Sequence, residues 1–565
     1  MRIEEPLTAA QYVAAFLEAV KVRHVYLLSG GMIAPLIDAI ARSGKLRLVL
    51  VSHEQAGAFA AEAEARITGV PAVAMGTSGP GVLNLISGIA SCHYDSIPAI
   101  FIGGQVQTYF LKGERATRQF GLQETPFADV AQPVAKAVIR LRTASDIAPA
   151  FAEAFAVASG DRPGPVAIEF PYDLQGARLG HERLLLPEPA KGQPPDHAAI
   201  EAAARLVSGA ERPVVLAGGG VRAAGMMRAV RDFLRRYGLP AATTMAALDL
   251  LPADEELRIG LPGIYGTRSA NTTMGRADLI LVLGSRLDHG VLGFDPTGFA
   301  RSRRILQVDL DTAEMSRVRG HTRIVSDLRD VVPALDAALG LRGYRAPRPW
   351  AREIAERAIA FPDTAERPLG EGLDPNLLFD RLGRASRAAS VYVVDAGQHT
   401  FFCAQSIKLH EGQRYVSSIG LGSMGTALPG AIGAALATGA PVVSVSGDGA
   451  IQLNLQDLHT VRRERLPVKF VVMNNSSHGL VRQFQKETLD ARYHATLWNY
   501  DTPDFKAVFA AYGIPGQTIS THAELEPALE WLWRDPFGAQ LLECRVDPHI
   551  DVIPAIRPGR QIYQV

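Results

Sequence analysis

Short apolar runs that end in glycine recur along this chain: VVLAGG from Val214, LILVLG from Leu279 and PVVSVSG from Pro441, with helix-period stretches between them. A continuous apolar run of this length marks a strand buried on both faces, and such strands belong to parallel sheets covered by helices. The expected fold class is therefore α/β. At 565 residues the chain is too long for one core. Two polar, proline-rich stretches interrupt the pattern, Pro187 to Pro195 and a looser region from Pro347 to Pro375. Taken as linkers, they divide the chain into domains at 1–185, 190–345 and 370–565.

The 58 basic and 58 acidic residues cancel, so no global field favours nucleic acid or an anionic membrane surface. Small-molecule substrates are the expected partners. No apolar run approaches the length of a membrane span. The N-terminal MRIEEPLTAAQ has neither the basic region nor the apolar core of a signal peptide. Cys92, Cys403 and Cys544 form no metal-binding spacing and are read as small buried hydrophobes in a reducing compartment. These features predict a cytoplasmic protein.

The strand run at 442 ends in Gly447-Asp448-Gly449, and after 24 further residues comes Asn474-Asn475. The interval reads as one helix starting near Ala450, with Ile451, Leu455, Leu458 and Val461 on one face, and a second strand from Val468 to Met473. The glycine turn lets main chain approach phosphate oxygens, and helix N-terminal amides face the anion. One carboxylate, one carboxamide and a main-chain carbonyl suit Mg²⁺, which takes oxygen ligands and keeps substrate phosphates among them. Two unrelated tight turns are the plainer alternative.

This arrangement resembles the thiamin diphosphate (ThDP) enzymes, and SGDGAIQLNLQDLHTVRRERLPVKFVVMNNSSHGLVRQFQ resembles their acetolactate synthase branch. The resemblance implies that Asp448, Asn475 and the carbonyl of Ser477 ligate magnesium. It also implies that Gly447, Gly449, Ala450, His478, Gly479 and Leu480 contact the cofactor. Gly420 to Gly425 (GLGSMG) matches a dinucleotide fingerprint but has no free acidic residue at the required distance. It is similar instead to the family's GLGTMG, in which Gly422 meets the aminopyrimidine and Met424 bends the cofactor.

Glu54 follows a strand-like run, Leu48 to Val51, and precedes an alanine-rich helix, so it reads equally as a helix cap. Together with Gly76-Thr77-Ser78-Gly79-Pro80-Gly81 and Asn84, the HEQ segment resembles the family's order, which makes Glu54 the implied activator at the pyrimidine N1′. Gly30, Gly31, Thr77, Pro80, Asn84, Gln398 and His399 are further implied cofactor contacts. Gln123 and His399 are candidates for orienting or protonating an acceptor. RPGPV at 162–166, GQH at 397–399 and VDP at 546–548 extend the likeness over nearly the whole chain. It implies pyrimidine-binding, central Rossmann-like and pyrophosphate-binding domains, and a homodimer or homotetramer with active sites between subunits.

The central segment resembles the family's FAD domain, with Arg286, Asp309 and Asp327 as implied contacts of a structural FAD. A plain α/β domain holding ADP or nothing is the alternative. Tyr265 replaces the family's usual histidine, and Phe484 stands where the branched-chain enzymes carry tryptophan. The loop from Gly104 to Gln123, with Lys112, Arg115 and Arg118, is longer than usual. That loop, with GGMIAPLIDAI and SCHYDSIPA, resembles carboligases of nucleotide-activated 4-keto-sugars. The expected activity is decarboxylation of pyruvate and transfer of its two-carbon unit to a carbonyl acceptor. The alternatives are an acetolactate synthase proper, a decarboxylase or oxidase without ligation, and a catalytically silent paralogue.

Overall fold

The computed structural model describes residues 7–180, 183–188, 194–301, 303–318 and 321–565. Their strands form three six-stranded sheets, drawn from 24–171, 213–325 and 391–545, in which neighbouring strands are parallel. The α/β class expected from the glycine-ended runs is the class observed.

Counted in chain order within each sheet, the strands of both outer sheets lie in the spatial order 2-1-3-4-6-5, whereas the central sheet runs 3-2-1-4-5-6. Winding reverses between strands 1 and 3 in the outer sheets and between strands 1 and 4 in the central one. Ligands of open parallel sheets bind at the carboxyl ends of strands beside such a crevice. In the first sheet, His24–Leu27 leads to Gly30-Gly31 and Ala72–Gly76 leads to Thr77. In the third, Val391–Val394 leads to Gln398-His399 and Val442–Gly447 leads to Asp448. In the central sheet, Pro213–Ala217 leads to Gly218 and Leu279–Leu283 leads to Arg286. Each sheet thus places at least one predicted contact at its crevice.

The first and third domains join through two alanine-rich helices, Glu54–Thr68 and Ala427–Thr438, whose Ala60, Ala61, Ala431 and Ala434 are buried in one shared core. Small residues let the two backbones approach closely. A Cβ on Gly433 would collide with the main-chain oxygen of Ala60, a group with no rotamer by which to move away. Gly433→Ala is expected to destabilise this interface by about 1–3 kcal/mol, the range for overpacking, and to lower the Tm in thermal unfolding.

The interval from Asp448 to Arg463 differs from the single helix predicted. It consists of a helical turn at Asp448–Ile451, a 3-10 segment at Gln452–Asp457 and a second helix at Leu458–Arg463. The break is at Asn454 (φ −134°, ψ 26°), whose side chain donates to the Gly425 carbonyl at 2.7 Å. That tertiary bond offsets the lost helical geometry. The second proline-rich stretch is also more ordered than a loose linker, since it contains the helix Arg348–Ala360, which buries Trp350 and Ile354 against the central domain. Much of the first stretch, 189–193, lies outside the described residues. The end of the chain returns to the central domain, where Ile556 and Ile562 join its core.

Cys92, Cys403 and Cys544 are free and buried. Among the described residues, no helix is long and apolar enough to cross a membrane.

Candidate active site

Asp448 is the first residue of its helical turn and is only 3 % exposed. Its Oδ1 accepts from the Gly449 N–H at 3.0 Å and its Oδ2 from the Ser477 N–H at 3.3 Å. The same Ser477 N–H lies 3.2 Å from Asn475 Oδ1. A carboxylate oxygen and a carboxamide oxygen therefore converge on one point, as two ligands of a small cation must. Asn475 Nδ2 donates to Gln398 Oε1 at 3.2 Å, which fixes the direction of its oxygen. Asn474 supports the turn by donating to buried Glu543 at 2.7 Å and accepting from the Ser476 N–H at 3.0 Å.

Burial pushes the Asp448 carboxyl up to about 7, against the opposing effect of its main-chain donors. A carboxylate so poor in positive neighbours suits a metal cation. Among the described residues, no group of three or more His, Cys, Asp and Glu side chains is placed to hold a metal. The donor set is oxygen and contains a single carboxylate, which fits Mg²⁺ with phosphate oxygens completing its shell.

Ser477 Oγ and His399 Nε2 are buried without a hydrogen-bond partner, a deficit that diphosphate oxygens would correct. The His399 ring lies beside Gly447, and burial brings its pKa down to about 3, so it is a neutral imidazole. It can donate an N–H but cannot serve as a cationic acid, which disfavours the predicted protonating role. A Cβ on Gly449 would lie 2.8 Å from His478 and 3.0 Å from the Tyr500 hydroxyl, so main chain alone fits there. Ala450 is buried behind it, while Gly479 and Leu480 open the helix Gly479–Thr488. Tyr500, packed on the His478 ring at 4.6 Å between centroids, was not signalled by any motif.

Gly422 (φ 70°) and Met424 lie in the loop between the strand Arg414–Ser417 and the helix Ala427–Thr438. The loop's far end is held by Asp395, which accepts from the N–H groups of Gly425 at 2.8 Å and Ala427 at 3.0 Å. Sequence reasoning missed Asp395, although its place directly after a strand and two residues before Gly397 was a usable signal.

In the first domain the cap of the Glu54–Thr68 helix is His53, whose Nδ1 accepts from the Gln55 N–H at 3.2 Å. The capping alternative for Glu54 therefore falls. Its buried carboxylate accepts from Asn84 Nδ2 at 2.9 Å through Oε2, and Oε1 lies beside Gly81. Thr77 Oγ1 accepts from the Met32 N–H at 3.2 Å and so ties the Gly30-Gly31 turn to the Thr77–Gly81 loop. Pro80 opens the short helix that ends at Asn84. Gln123, exposed and in left-handed conformation (φ 64°), packs beside Gly79. The fold thus gathers Gly30, Gly31, Glu54, Thr77, Pro80, Asn84 and Gln123 at one crevice.

Exposed apolar side chains border both halves. Leu28, Leu83 and Leu122 neighbour the first-domain group, and Leu421, Leu453, Val481 and Phe484 neighbour the third-domain group. Leu122 is 86 % exposed in the single chain. In the loop that carries Lys112 and Arg115, Glu124 accepts from the Lys112 N–H at 2.5 Å and the Phe120 N–H at 2.9 Å. Arg115 stacks 4.2 Å from the Phe120 ring centroid and donates to the carbonyls of Leu111 and Lys112.

A cavity of about 430 Å³ opens at the crevice of the central sheet. Gly219, Gly220, Arg286, Asp309 and Asp327 line it, so the three predicted contacts share one space. Tyr94 and Phe401, from the outer domains, also line it. Arg286 donates to the Tyr94 carbonyl at 3.1 Å, and burial raises the pKa of Asp309. Asp327 caps the following helix and pairs with Arg329 at 2.6 Å. Tyr265 stacks on Phe401 with ring centroids 4.5 Å apart.

The chain matches three family descriptions: the N-terminal TPP binding domain of thiamine pyrophosphate enzymes over 7–131, their central domain over 200–335 and their C-terminal TPP binding domain over 395–541. It is 34 % identical to the acetolactate synthase isozyme 2 large subunit of Escherichia coli K12, covering 98 % of each chain. It is 33 % identical to the acetolactate synthase large subunit of Corynebacterium glutamicum, over 93 % of this chain and 84 % of that one. A probable chloroplastic acetolactate synthase 2 of Oryza sativa subsp. japonica is 34 % identical, over 97 % and 84 % respectively.

Proposed function

The chain belongs to the acetolactate synthase family of thiamine pyrophosphate enzymes, and on that basis we propose a ThDP- and Mg²⁺-dependent carboligase that decarboxylates pyruvate and joins the two-carbon unit to a second 2-keto acid, pyruvate itself in the simplest case. The observation that carries this reading is the convergence of Asp448 and Asn475 on the Ser477 N–H, beside buried polar atoms that lack partners.

When bound, ThDP supplies the nucleophilic carbon and the electron sink that decarboxylation of a 2-keto acid requires. Asp448, Asn475 and the Ser477 carbonyl hold the metal. Neutral His399 and the main chain at Gly449 meet the diphosphate, and Gly422 with Met424 meets the aminopyrimidine. Glu54 holds a proton at N1′ of that ring. Gln123, at the open rim of the first-domain crevice, orients the acceptor carbonyl, a contribution of about 10²-fold when such a donor is well placed.

The half-sites bordered by exposed Leu122 and by exposed Phe484 belong to different domains. Apposing them between two copies of the chain would cover both apolar surfaces and bring Glu54 of one copy to Asp448 of the other. A homodimer, or a tetramer built from two, is the proposed active unit, and the cytoplasm its proposed location. The domain limits 1–185, 190–345 and 370–565 stand as part of this proposal.

A nucleotide-activated 4-keto-sugar as acceptor finds no support in the relatives. Arg115, one of the cations invoked for its diphosphate, is engaged by Phe120 and by carbonyls of its own loop. The 2-keto acid is therefore preferred.

For the central cavity we propose a structural FAD, on the dinucleotide strand order and the shared lining by Arg286, Asp309 and Asp327. Arg286→Ala is expected to weaken flavin binding about tenfold or more, as loss of a charge-assisted hydrogen bond does. The check is flavin absorbance retained after gel filtration.

The deciding experiment supplies purified protein with pyruvate, ThDP, Mg²⁺ and FAD. Acetolactate, detected as acetoin after acid treatment, should form in proportion to the carbon dioxide released. Acetaldehyde as the sole product, acetate with peroxide, or carbon dioxide release only when another carbonyl compound is added would reject the acceptor assignment.

A further inference from the structure

We propose that Asp95, at the end of the helix Ile86–Asp95, is a positioning residue for the loop that carries Gly422 and Met424. The proposal rests on the ThDP reading of that loop.

Asp95 belongs to the first domain and the loop to the third, yet within one chain its carboxylate takes both N–H groups at the loop's entrance. Oδ2 accepts from Ile419 at 3.0 Å and Oδ1 from Gly420 at 2.8 Å. Arg66 donates to Asp95 Oδ2 at 2.5 Å and to Glu62 Oε1 at 2.6 Å, and the same Glu62 oxygen accepts from the Ser418 hydroxyl at 2.7 Å. Three successive residues, 418 to 420, are thereby held by one nearly buried acid–base–acid network whose side chains are 2 to 11 % exposed. The loop's exit is gripped from the other side, where Gly425 donates to Asp395 and accepts from Asn454 at 2.7 Å. The four residues between these clamps include both implied contacts of the aminopyrimidine.

A network of buried charges is weak evidence for stability, because desolvation offsets much of its Coulomb gain. It does define geometry. Displacing a contact group by about 1 Å can cost a reaction 10²-fold. The network also lies on the Glu54–Thr68 helix, with Glu62 eight residues, or about 12 Å, from Glu54. One rigid element therefore presents Glu54 at its start and steadies its own chain's cofactor loop farther along.

The test uses the whole chain with saturating Mg²⁺ and FAD, because Asp95 also lines the central cavity. Asp95→Asn keeps the shape but replaces one accepting oxygen with a donor facing an N–H. The ThDP concentration for half-maximal fluorescence quenching is expected to rise about tenfold. The circular-dichroism band of bound ThDP should stay diminished even at saturation, a change that a purely stabilising contact would not produce. Gly420→Ala probes the contact from the other side, since its Cβ would lie 2.6 Å from Asp95 Oδ1 and 3.0 Å from the Tyr94 main chain. It should reproduce both effects, and the double variant should be little worse than either single one, because both disturb the same contact.

Parent-like affinity and dichroism in a folded Asp95→Asn or Gly420→Ala protein would overturn the proposal. So would fully additive effects, or unfolding of both variants, which would mark a folding contact instead. If the parent protein itself gave no ThDP-dependent signal, the cofactor reading would fail and take the proposal with it.

Discussion

Glu54→Gln is expected to bind Mg²⁺ and ThDP with nearly the parent affinity and to release carbon dioxide about 10²–10⁴-fold more slowly, the range for losing a general acid–base group. The substitution is sterically neutral. Glutamine fills the same buried space at the start of its helix, and its carbonyl oxygen can still accept from Asn84. What disappears is the negative charge, and with it the capacity to hold and exchange a proton with a ring nitrogen. Binding should survive because the proposed metal and diphosphate contacts lie on the third domain, where Asp448 and Asn475 converge. Measuring ThDP affinity and single-turnover decarboxylation on the same preparation separates the two effects. Parent-like turnover would remove Glu54 from the mechanism and leave its burial as a packing feature.

Asp448→Asn should fail in the opposite manner. ThDP binding at saturating Mg²⁺ is expected to weaken by about 10²-fold or more, since even outer-shell changes at metal sites cost 10–100-fold. Calorimetric titration with ThDP, with and without Mg²⁺, is the direct measurement. The stability of the protein free of metal should move the other way. Burial holds the Asp448 carboxyl near 7, above its ordinary value of 3.8. A carboxyl group with a raised folded-state value destabilises the fold progressively as pH rises from its ordinary value to the raised one. At neutral pH and above, the metal-free variant should therefore unfold no earlier than its parent, and added Mg²⁺ with ThDP should stabilise only the parent. If the variant bound the cofactor normally, Asp448 could not be the metal's carboxylate.

Asp448 is legible from local pattern for a geometric reason, whereas Glu54 is singled out only by the family resemblance. In a parallel α/β domain every strand ends on the same edge of its sheet, so a polar motif directly after an apolar run is delivered to the binding edge whatever the rest of the chain does. Asp448 after Val442–Gly447 and Asn475 after Val468–Asn474 are of this kind. The same argument covers Thr77 after Ala72–Gly76 and Arg286 after Leu279–Leu283. Tyr500 was less accessible, because it reaches the site from an irregular segment with no periodicity to read. The helix after Asp448 was misjudged for a related reason. Its apolar spacing is helical throughout, but Asn454 is drawn out of helical geometry by a carbonyl 29 positions earlier. The cap of the Glu54–Thr68 helix was also ambiguous, since His53 and Glu54 both carry acceptors and only the orientation of each side chain distinguishes them.

Three parallel sheets, and the polar groups at their carboxyl edges, follow from short-range information: apolar runs of strand length, glycine at their ends and helical periodicity between them. Spatial strand order is different in kind. The outer sheets and the central sheet use the same local grammar yet wind as 2-1-3-4-6-5 and 3-2-1-4-5-6, because order depends on which distant strands bury one another's faces. The cavity among Arg286, Tyr94 and Phe401, and the grip of Asp95 on Gly420, likewise join residues more than a hundred positions apart. No local pattern encodes such contacts; they arise when the Glu54–Thr68 and Ala427–Thr438 helices pack backbone to backbone and bring the domains' edges into register.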